Sequence, residues 1–284
     1  MRINSPGFYS LSEADYFGDP CPKPSLTQTI AKILLERSPM HAWHAHPRLN
    51  PRYEEDTDRK YDLGNVCHTL LLGAGKRIIP LNFDDYRTKA AREAREAAIG
   101  GGRVPVLTKL LDKAHEMREA AETQMGGPMV GQGEIALCWV DGSTWYRTKI
   151  DMLAEDRLTV WDYKTTSQIM GTDTLQGKMV NDGWDIQAAM HESGLNALAP
   201  NGAGRRRHYF LVQETSRPYA LFTCRLSEGS LDMGRHKLAR ADATWRACML
   251  ANQWPSPSRN VNVLELPAWA MRQALQPDPV TGEI

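Results

Sequence analysis

The segment RTKIDMLAEDRLTVWDYKTT at residues 147–166 constrains this chain more than any other stretch. Leu158, Val160 and Trp161 give its second half the apolar, aromatic character of a buried strand, yet Asp162 and Lys164 lie within it. Strand residues two apart share a face, so the acid and the lysine project together and Tyr163 projects away. Asp151 ends the preceding strand. Unpaired buried charge is costly, so the fold must give these groups partners. An ordinary Asp–Lys ion pair on a hairpin would do so. A hard divalent cation would also do so, because carboxylate and carbonyl oxygens suit Mg²⁺, with Mn²⁺ able to substitute. In that second reading Asp151 and Asp162 hold the ion, and the backbone carbonyl of Tyr163 is available as a further ligand. Lys164 then orients a metal-activated water or offsets charge developing on a phosphate.

The flanking sequence supplies a sheet and the helices to cover it. Residues 134–140 and 144–152 read as strands joined by the hairpin signal Asp141-Gly142, and residues 158–165 as a third strand. A helix follows at about 184–198, then strands at 207–213 and 219–226, then a long helix at about 230–252 with Leu238, Ala241 and Trp245 on one side. Before the strands, residues 1–24 read as irregular, with four prolines. Ser25 and Gln28 match a capping box for a helix ended by Ser38-Pro39. A second helix over about 62–72 carries a stripe of Leu63, Val66, Cys67, Leu70 and Leu71, with Gly73 placed to stop it. His68 lies at the edge of that stripe and can face a cleft. Residues 84–124 read as two helices split by three glycines at 100–102. The expected class is therefore α/β or α+β: a central mixed β-sheet flanked by helices.

Bulk properties narrow the chemistry. A chain of 284 residues can bury a core without staples. Its five cysteines are odd in number, widely spaced and without a CxxC, so free buried thiols are expected rather than disulfides, a structural zinc site or an iron–sulfur cluster. No segment has the length and apolarity of a membrane span, and MRINSPGFYS lacks the apolar region of a signal peptide, so a location inside the cell, in the cytoplasm, is expected. Lys plus Arg equals Asp plus Glu at 34 each. A nucleic-acid-binding chain usually has a basic excess. A neutral one would need its basic groups gathered in a single channel.

Four motifs in order carry a family resemblance. GNVCHTLLLG (64–73), RTKID (147–151), VWDYKTT (160–166) and WDIQAAMHESGL (184–195) resemble the PD-(D/E)xK nuclease superfamily. More narrowly they are similar to phage-type exodeoxyribonuclease VIII (RecE-like) nucleases, related to the RecB nuclease domain and lambda exonuclease. The stretches SPMHAW and LPAWA extend the resemblance over nearly the whole chain. It implies a restriction-endonuclease-like core and a role for each matching residue. His68 adds a metal ligand through imidazole, Asp151 and Asp162 are the metal carboxylates, Lys164 is the catalytic lysine, and Gln187 contacts the active site or the DNA backbone. Where the family has a tyrosine one turn after that glutamine, this chain has His191, which could still hydrogen-bond a phosphate. Glu134 could join the metal's surroundings or remain a solvated strand-edge acid. The implied organisation is one nuclease domain over 1–254, with a catalytic core at about 60–226, an N-terminal helical part at 25–60, a helical insertion at 84–124 and a Pro-rich tail at 255–284.

The remaining features read as bland. His41, His44 and His46 lack further zinc ligands and are expected to be solvated or partner-facing. Arg205, Arg206 and Arg207 form a run expected to be a solvated face, and Trp43, Trp139, Trp145 and Trp161 are expected to fill core.

The resemblance implies a Mg²⁺-dependent exodeoxyribonuclease on linear double-stranded DNA, degrading the 5′-ended strand to leave 3′ overhangs in phage or prophage recombination. It also implies a ring-shaped homo-oligomer around DNA and a single-strand annealing protein as partner. Two other readings share the residues: an endonuclease or nickase, and a non-catalytic DNA-binding protein with a nuclease fold.

Overall fold

The computed structural model describes residues 1–54, 63–73, 77–168, 171–258 and 263–275, without the side chains of 273 and 274. The elements in chain order begin with β1 (Gly7–Tyr9), α1 (Glu13–Phe17), β2 (Ser25–Leu26), α2 (Gln28–Glu36), α3 (Pro39–Ala45) and α4 (Leu63–Leu72). Next come β3 (Ile78–Leu81), α5 (Lys89–Gly100), β4 (Val104–Leu107), α6 (Thr108–Met125), β5 (Gln132–Asp141), β6 (Thr144–Leu153) and β7 (Thr159–Thr166). The chain continues through α7 (Thr172–Asp182), α8 (Trp184–Leu198), β8 (Arg207–Glu214), β9 (Leu221–Cys224), α9 (Glu228–Ala251) and α10 (Ala268–Ala274). This is the expected mixed sheet flanked by helices. Among the described residues no helix is long and apolar enough to cross a membrane.

The large sheet runs β1-β5-β6-β7-β8-β9, with β7 and β8 parallel and the other pairs on this path antiparallel. One edge of β6 pairs with β5 along its length except at Asp151, opposite Glu134. Its other edge is shared: β2 pairs Trp145 and Tyr146 in parallel, and β7 pairs only Met152 and Leu153. Between those two short ladders, residues 147–151 have no strand beside them on that edge among the described residues, and the sheet opens into a fork.

Helices seal both faces. Tyr163 and Leu211 pack with Val66, Cys67 and Met117 of α4 and α6. On the opposite face Ile135, Leu137, Trp139 and Ile150 pack with Ile186, Ala189 and Met190 of α8, Leu238, Ala241 and Trp245 of α9, and Ile30 of α2. Gly194 permits α8 to lie close to the sheet, since a Cβ there would come within 2.8 Å of the Trp139 ring.

Several expectations fail, each for a readable reason. Ser25 does not cap α2. Ser25 and Leu26 join the sheet, and the Thr27 hydroxyl caps the helix by accepting the Ile30 N–H. The first 24 residues hold β1 and α1, because β1 finds its partner more than a hundred residues away in β5. The helical region 84–124 contains β4, which pairs with β3 in a small parallel sheet. Glu134 does not open the first core strand, which begins at Gln132. Arg206 is not part of a solvated run. It folds back onto the carbonyls of Leu195 and Ala199 at the end of α8. His46 is fully buried rather than solvated. Its Nε2 lies 3.2 Å from the Ser25 carbonyl and 3.4 Å from Asp19. The cysteines form no disulfides, and all but Cys224 are buried. The start of the second helix at residue 62, and the tail at 259–262 and 276–284, lie outside the described residues.

Candidate active site

The fork in the sheet gathers the acids. The β6–β7 register, Leu153↔Val160 and Met152↔Trp161, would next place Asp151 opposite Asp162. The ladder stops there. Asp151 Oδ2 instead accepts the Tyr163 backbone N–H at 3.0 Å, so a side chain satisfies the donor that a neighbouring strand would have used. The period-two alternation also breaks at this point: Ile150 and Leu153, three residues apart, both pack into the same core. Opposite Asp151 on β5, Glu134 has φ +51°, a left-handed conformation rare for a side-chain-bearing residue. Backbone in that region costs on the order of 1–3 kcal/mol and is common at functional sites.

Asp162 and Lys164 share a face of β7, as period two requires, with Nζ 2.6 Å from Oδ1. Gln187, from the first turn of α8, donates its Nε2 to Asp162 Oδ2. Asp162 is 1% exposed, and Oδ1 has no aligned hydrogen-bond donor among the described residues. From the other side of the sheet, α4 brings in His68, whose Nε2 lies 3.1 Å from Asp151 Oδ1 and Nδ1 3.5 Å from Glu134 Oε1. Glu134 Oε2 accepts from Lys149 at 3.1 Å. The fold thus brings together Asp151, Asp162, Lys164, Gln187, His68 and Glu134. His191 is apart from these contacts, with its Nδ1 2.9 Å from His208 Nε2.

The two carboxyl groups are driven apart in acidity. Burial pushes Asp162 up to about 6, helped by the Asp151 charge and opposed by Lys164. Burial would also raise Asp151, but His68, Lys164 and the Tyr163 N–H outweigh it and hold the group at about 2. Burial would lower His68 and Lys164. The surrounding carboxylates prevail, and both are raised. Two buried acids close enough to perturb each other, one with an oxygen met only by the Lys164 ammonium, fit a hard cation. Asp151, Asp162 and the Tyr163 carbonyl would hold it, with His68 moving from its Asp151 contact to the ion.

Beside the fork lies a cavity of about 410 Å³ lined by Tyr16, Gln28, Arg147, Lys149, Asp151 and Gln187, among others. Arg147 and Lys149 both approach the Tyr16 ring, at 5.6 and 5.7 Å from its centroid. Sequence reasoning passed over Tyr16 and Arg147. The only signal for Arg147 was its place in the RTKID motif, and Tyr16 sits in a stretch with no periodicity to read.

No family model matches the chain, and no curated protein matches it. Among solved structures, it is similar to that of a presumed exonuclease from Eubacterium rectale, with a TM-score of 0.60 at 13% identity, covering 95% of this chain and 99% of that one. A phage-related exonuclease from Haemophilus somnus 129PT matches more loosely, with a TM-score of 0.31 at 14% identity over 66% of this chain and 95% of that one. At such identity the first of these shows the shared fold.

Proposed function

We propose that this chain is a divalent-metal-dependent exodeoxyribonuclease acting on the ends of linear double-stranded DNA. The observation that carries the reading is the fork, where Asp151 and Asp162 from adjacent strands meet with Lys164 alongside. The fold shared with the Eubacterium rectale protein, described as a presumed exonuclease, supports it. So does the resemblance of the four motifs to RecE-like nucleases.

The residues divide the work. When bound, Mg²⁺ or Mn²⁺ supplies the positive charge that polarises a phosphodiester and makes a water acidic enough to attack it. The Tyr163 N–H fixes one oxygen of Asp151, leaving the other, now against His68, free to turn toward the cation. Gln187 fixes Asp162 in the same way and leaves Oδ1 on the side of Lys164. The Lys164 ammonium stands where it can orient the attacking water or offset charge on the phosphate. Lys149, Arg147 and Tyr16 give the adjoining cavity a cationic and aromatic wall suited to a nucleotide strand.

The finer reading rests on the resemblance: digestion of the 5′-ended strand, 3′ overhangs, a ring-shaped homo-oligomer, a single-strand annealing partner, and a role in phage or prophage recombination in a bacterial cytoplasm. One nuclease domain over 1–254 would carry it. The test is purified protein with end-labelled linear duplex and covalently closed circles, in Mg²⁺ and in chelator, beside Asp162→Ala. Release of nucleotides from linear ends alone, dependent on metal and on Asp162, is expected. Cleavage of closed circles would make it an endonuclease or nickase. Undiminished cleavage by Asp162→Ala would remove the mechanism.

A further inference from the structure

His191 and His208 take no part in the mechanism above, yet they lie beside it. His191 follows Gln187 by one turn of α8, and His208 pairs with Val160 in the parallel β7–β8 ladder, two residues before Asp162 on β7. One ring nitrogen from each histidine and one Asp162 carboxylate oxygen lie within 4.8 Å of one another. His191 is fully buried and His208 partly so, its ring against Phe210 at 4.6 Å. Apart from their mutual contact, the pair is poorly satisfied. His208 Nδ1 has no hydrogen-bond partner among the described residues, and beyond the pair the His191 ring has only the Lys149 backbone beside it. Asp162 Oδ1 has the Lys164 ammonium 2.6 Å away as its one close partner among the described residues. The two ring nitrogens that face each other have one another as partner, and a buried carboxylate stands beside them, an arrangement that a cation can occupy.

We propose that Asp162, His191 and His208 form a second metal site, selective for a borderline ion of the zinc class and sharing Asp162 with the magnesium site. Two imidazoles and one carboxylate are a ligand set that zinc takes with its fourth position open, whereas Mg²⁺ prefers oxygens. The geometry is within reach. Bonds of about 2.0–2.2 Å at tetrahedral angles put ligand atoms roughly 3.3 Å apart. The facing nitrogens are 2.9 Å apart, and the farthest ligand pair lies within 4.8 Å, so ring and carboxylate rotations close the set. Lys164, 2.6 Å from Asp162 Oδ1, must swing away as the ion enters. On the nuclease reading, an ion here draws Asp162 away from Asp151, and zinc therefore inhibits magnesium-dependent cleavage.

The test begins without DNA. Metal-free protein is titrated with Co²⁺ alone and then Zn²⁺, reading the visible absorption of tetrahedral cobalt and the stoichiometry by calorimetry. His191→Gln, His208→Gln, His208→Cys and Asp151→Asn are run in parallel, with circular dichroism reporting the fold of each. One equivalent of tetrahedral Co²⁺, displaced by Zn²⁺, is expected in the parent protein and in Asp151→Asn. Either Gln variant should weaken it at least tenfold, and His208→Cys, which offers another zinc ligand, should retain it. Octahedral cobalt only, or binding that persists in His208→Gln, would overturn the proposal, as would loss of the tetrahedral site in Asp151→Asn. Zinc inhibition in the parent protein but not in His208→Gln should follow where cleavage is found. Cobalt binding without any cleavage would leave this site standing and remove the nuclease reading instead.

Discussion

Asp151 Oδ2 accepts the backbone N–H of Tyr163 at 3.0 Å, and that bond stands where the β6–β7 ladder would have continued. A carboxylate substituting for a strand has two effects. It keeps the fork open at residues 147–151, and it aims the other Asp151 oxygen toward the helix that carries His68. Asp151→Ala removes the acceptor as well as the charge, so it should cost more stability than Asp151→Asn, by about 1–2 kcal/mol. Denaturant unfolding in chelator measures the difference, and equal stabilities would show that the bond does not hold the fork.

Asp162 should be a liability to the metal-free fold. Its carboxyl group titrates near 6 when folded and near 3.8 when not. Between those values the folded state binds more protons at this group, so the contribution of Asp162 to stability is greatest below pH 4 and falls as pH rises to 6. Asp162→Asn should therefore stabilise the fold in chelator at pH 7 by on the order of 1–3 kcal/mol, read by denaturant unfolding. The same variant should lose at least a hundredfold in cleavage rate and gain no stability from Mg²⁺, whereas the parent should gain it. A variant less stable than the parent in chelator would show that the buried charge is not strained.

His68 meets both Asp151 and Glu134, so His68→Gln should weaken metal binding by about 10- to 100-fold. Raised Mn²⁺ should restore most of the rate. Calorimetric titration with Mn²⁺ separates this from a packing role, for which metal affinity would be unchanged and only Tm would fall.

The parts of this architecture legible from sequence were those set by local period. Asp162 and Lys164 share a face because residues two apart on a strand must, and α8 runs from Trp184 to Leu198 as its pattern indicates. His68 faces the acids from the edge of its apolar stripe. What sequence did not reveal depends on distant pairing. Ser25 and Leu26 form a strand too short to have a period, and Leu26 blends into the apolar pattern of α2. The left-handed turn of Glu134 answers a break in alternation that exists only once β5, β6 and β7 are assembled. The fork itself is a missing ladder, and a single strand cannot reveal where its neighbour departs.

Gln187 holds Asp162 through one hydrogen bond and should act as a positioning residue. Gln187→Leu is expected to lower kcat by roughly tenfold or more with little change in KM, since a hydrogen bond to a charged group is worth about 1.5–3 kcal/mol. Gln187→Glu adds a like charge beside Asp162 and should be worse than Leu at pH 8. A change in KM alone would place the side chain on the DNA rather than on the acid.

The last prediction concerns the support under the fork rather than its chemistry. Asp19, fully buried with φ +57°, accepts from the Ser25 N–H and hydroxyl, and pairs with Arg147 at 3.0 Å, with Arg48 at 3.8 Å and with His46 at 3.4 Å. This network fixes β2 against β6 at one end of the opening. Burial lowers His46 to about 4, with Arg147 and Arg48 adding to the effect and Asp19 opposing it. The unfolded chain therefore takes up the proton first, near 6.5, and the contribution of His46 to stability is full above that value and lost as pH falls toward 4. His46→Gln keeps a donor toward the Ser25 carbonyl without a titrating ring. The parent should lose more stability than this variant between pH 7 and pH 5, by about 2 kcal/mol. Urea unfolding at the two pH values supplies the four free energies. Parallel losses in parent and variant would mean that His46 does not stay neutral in the fold, and that the acid sensitivity of this corner lies elsewhere.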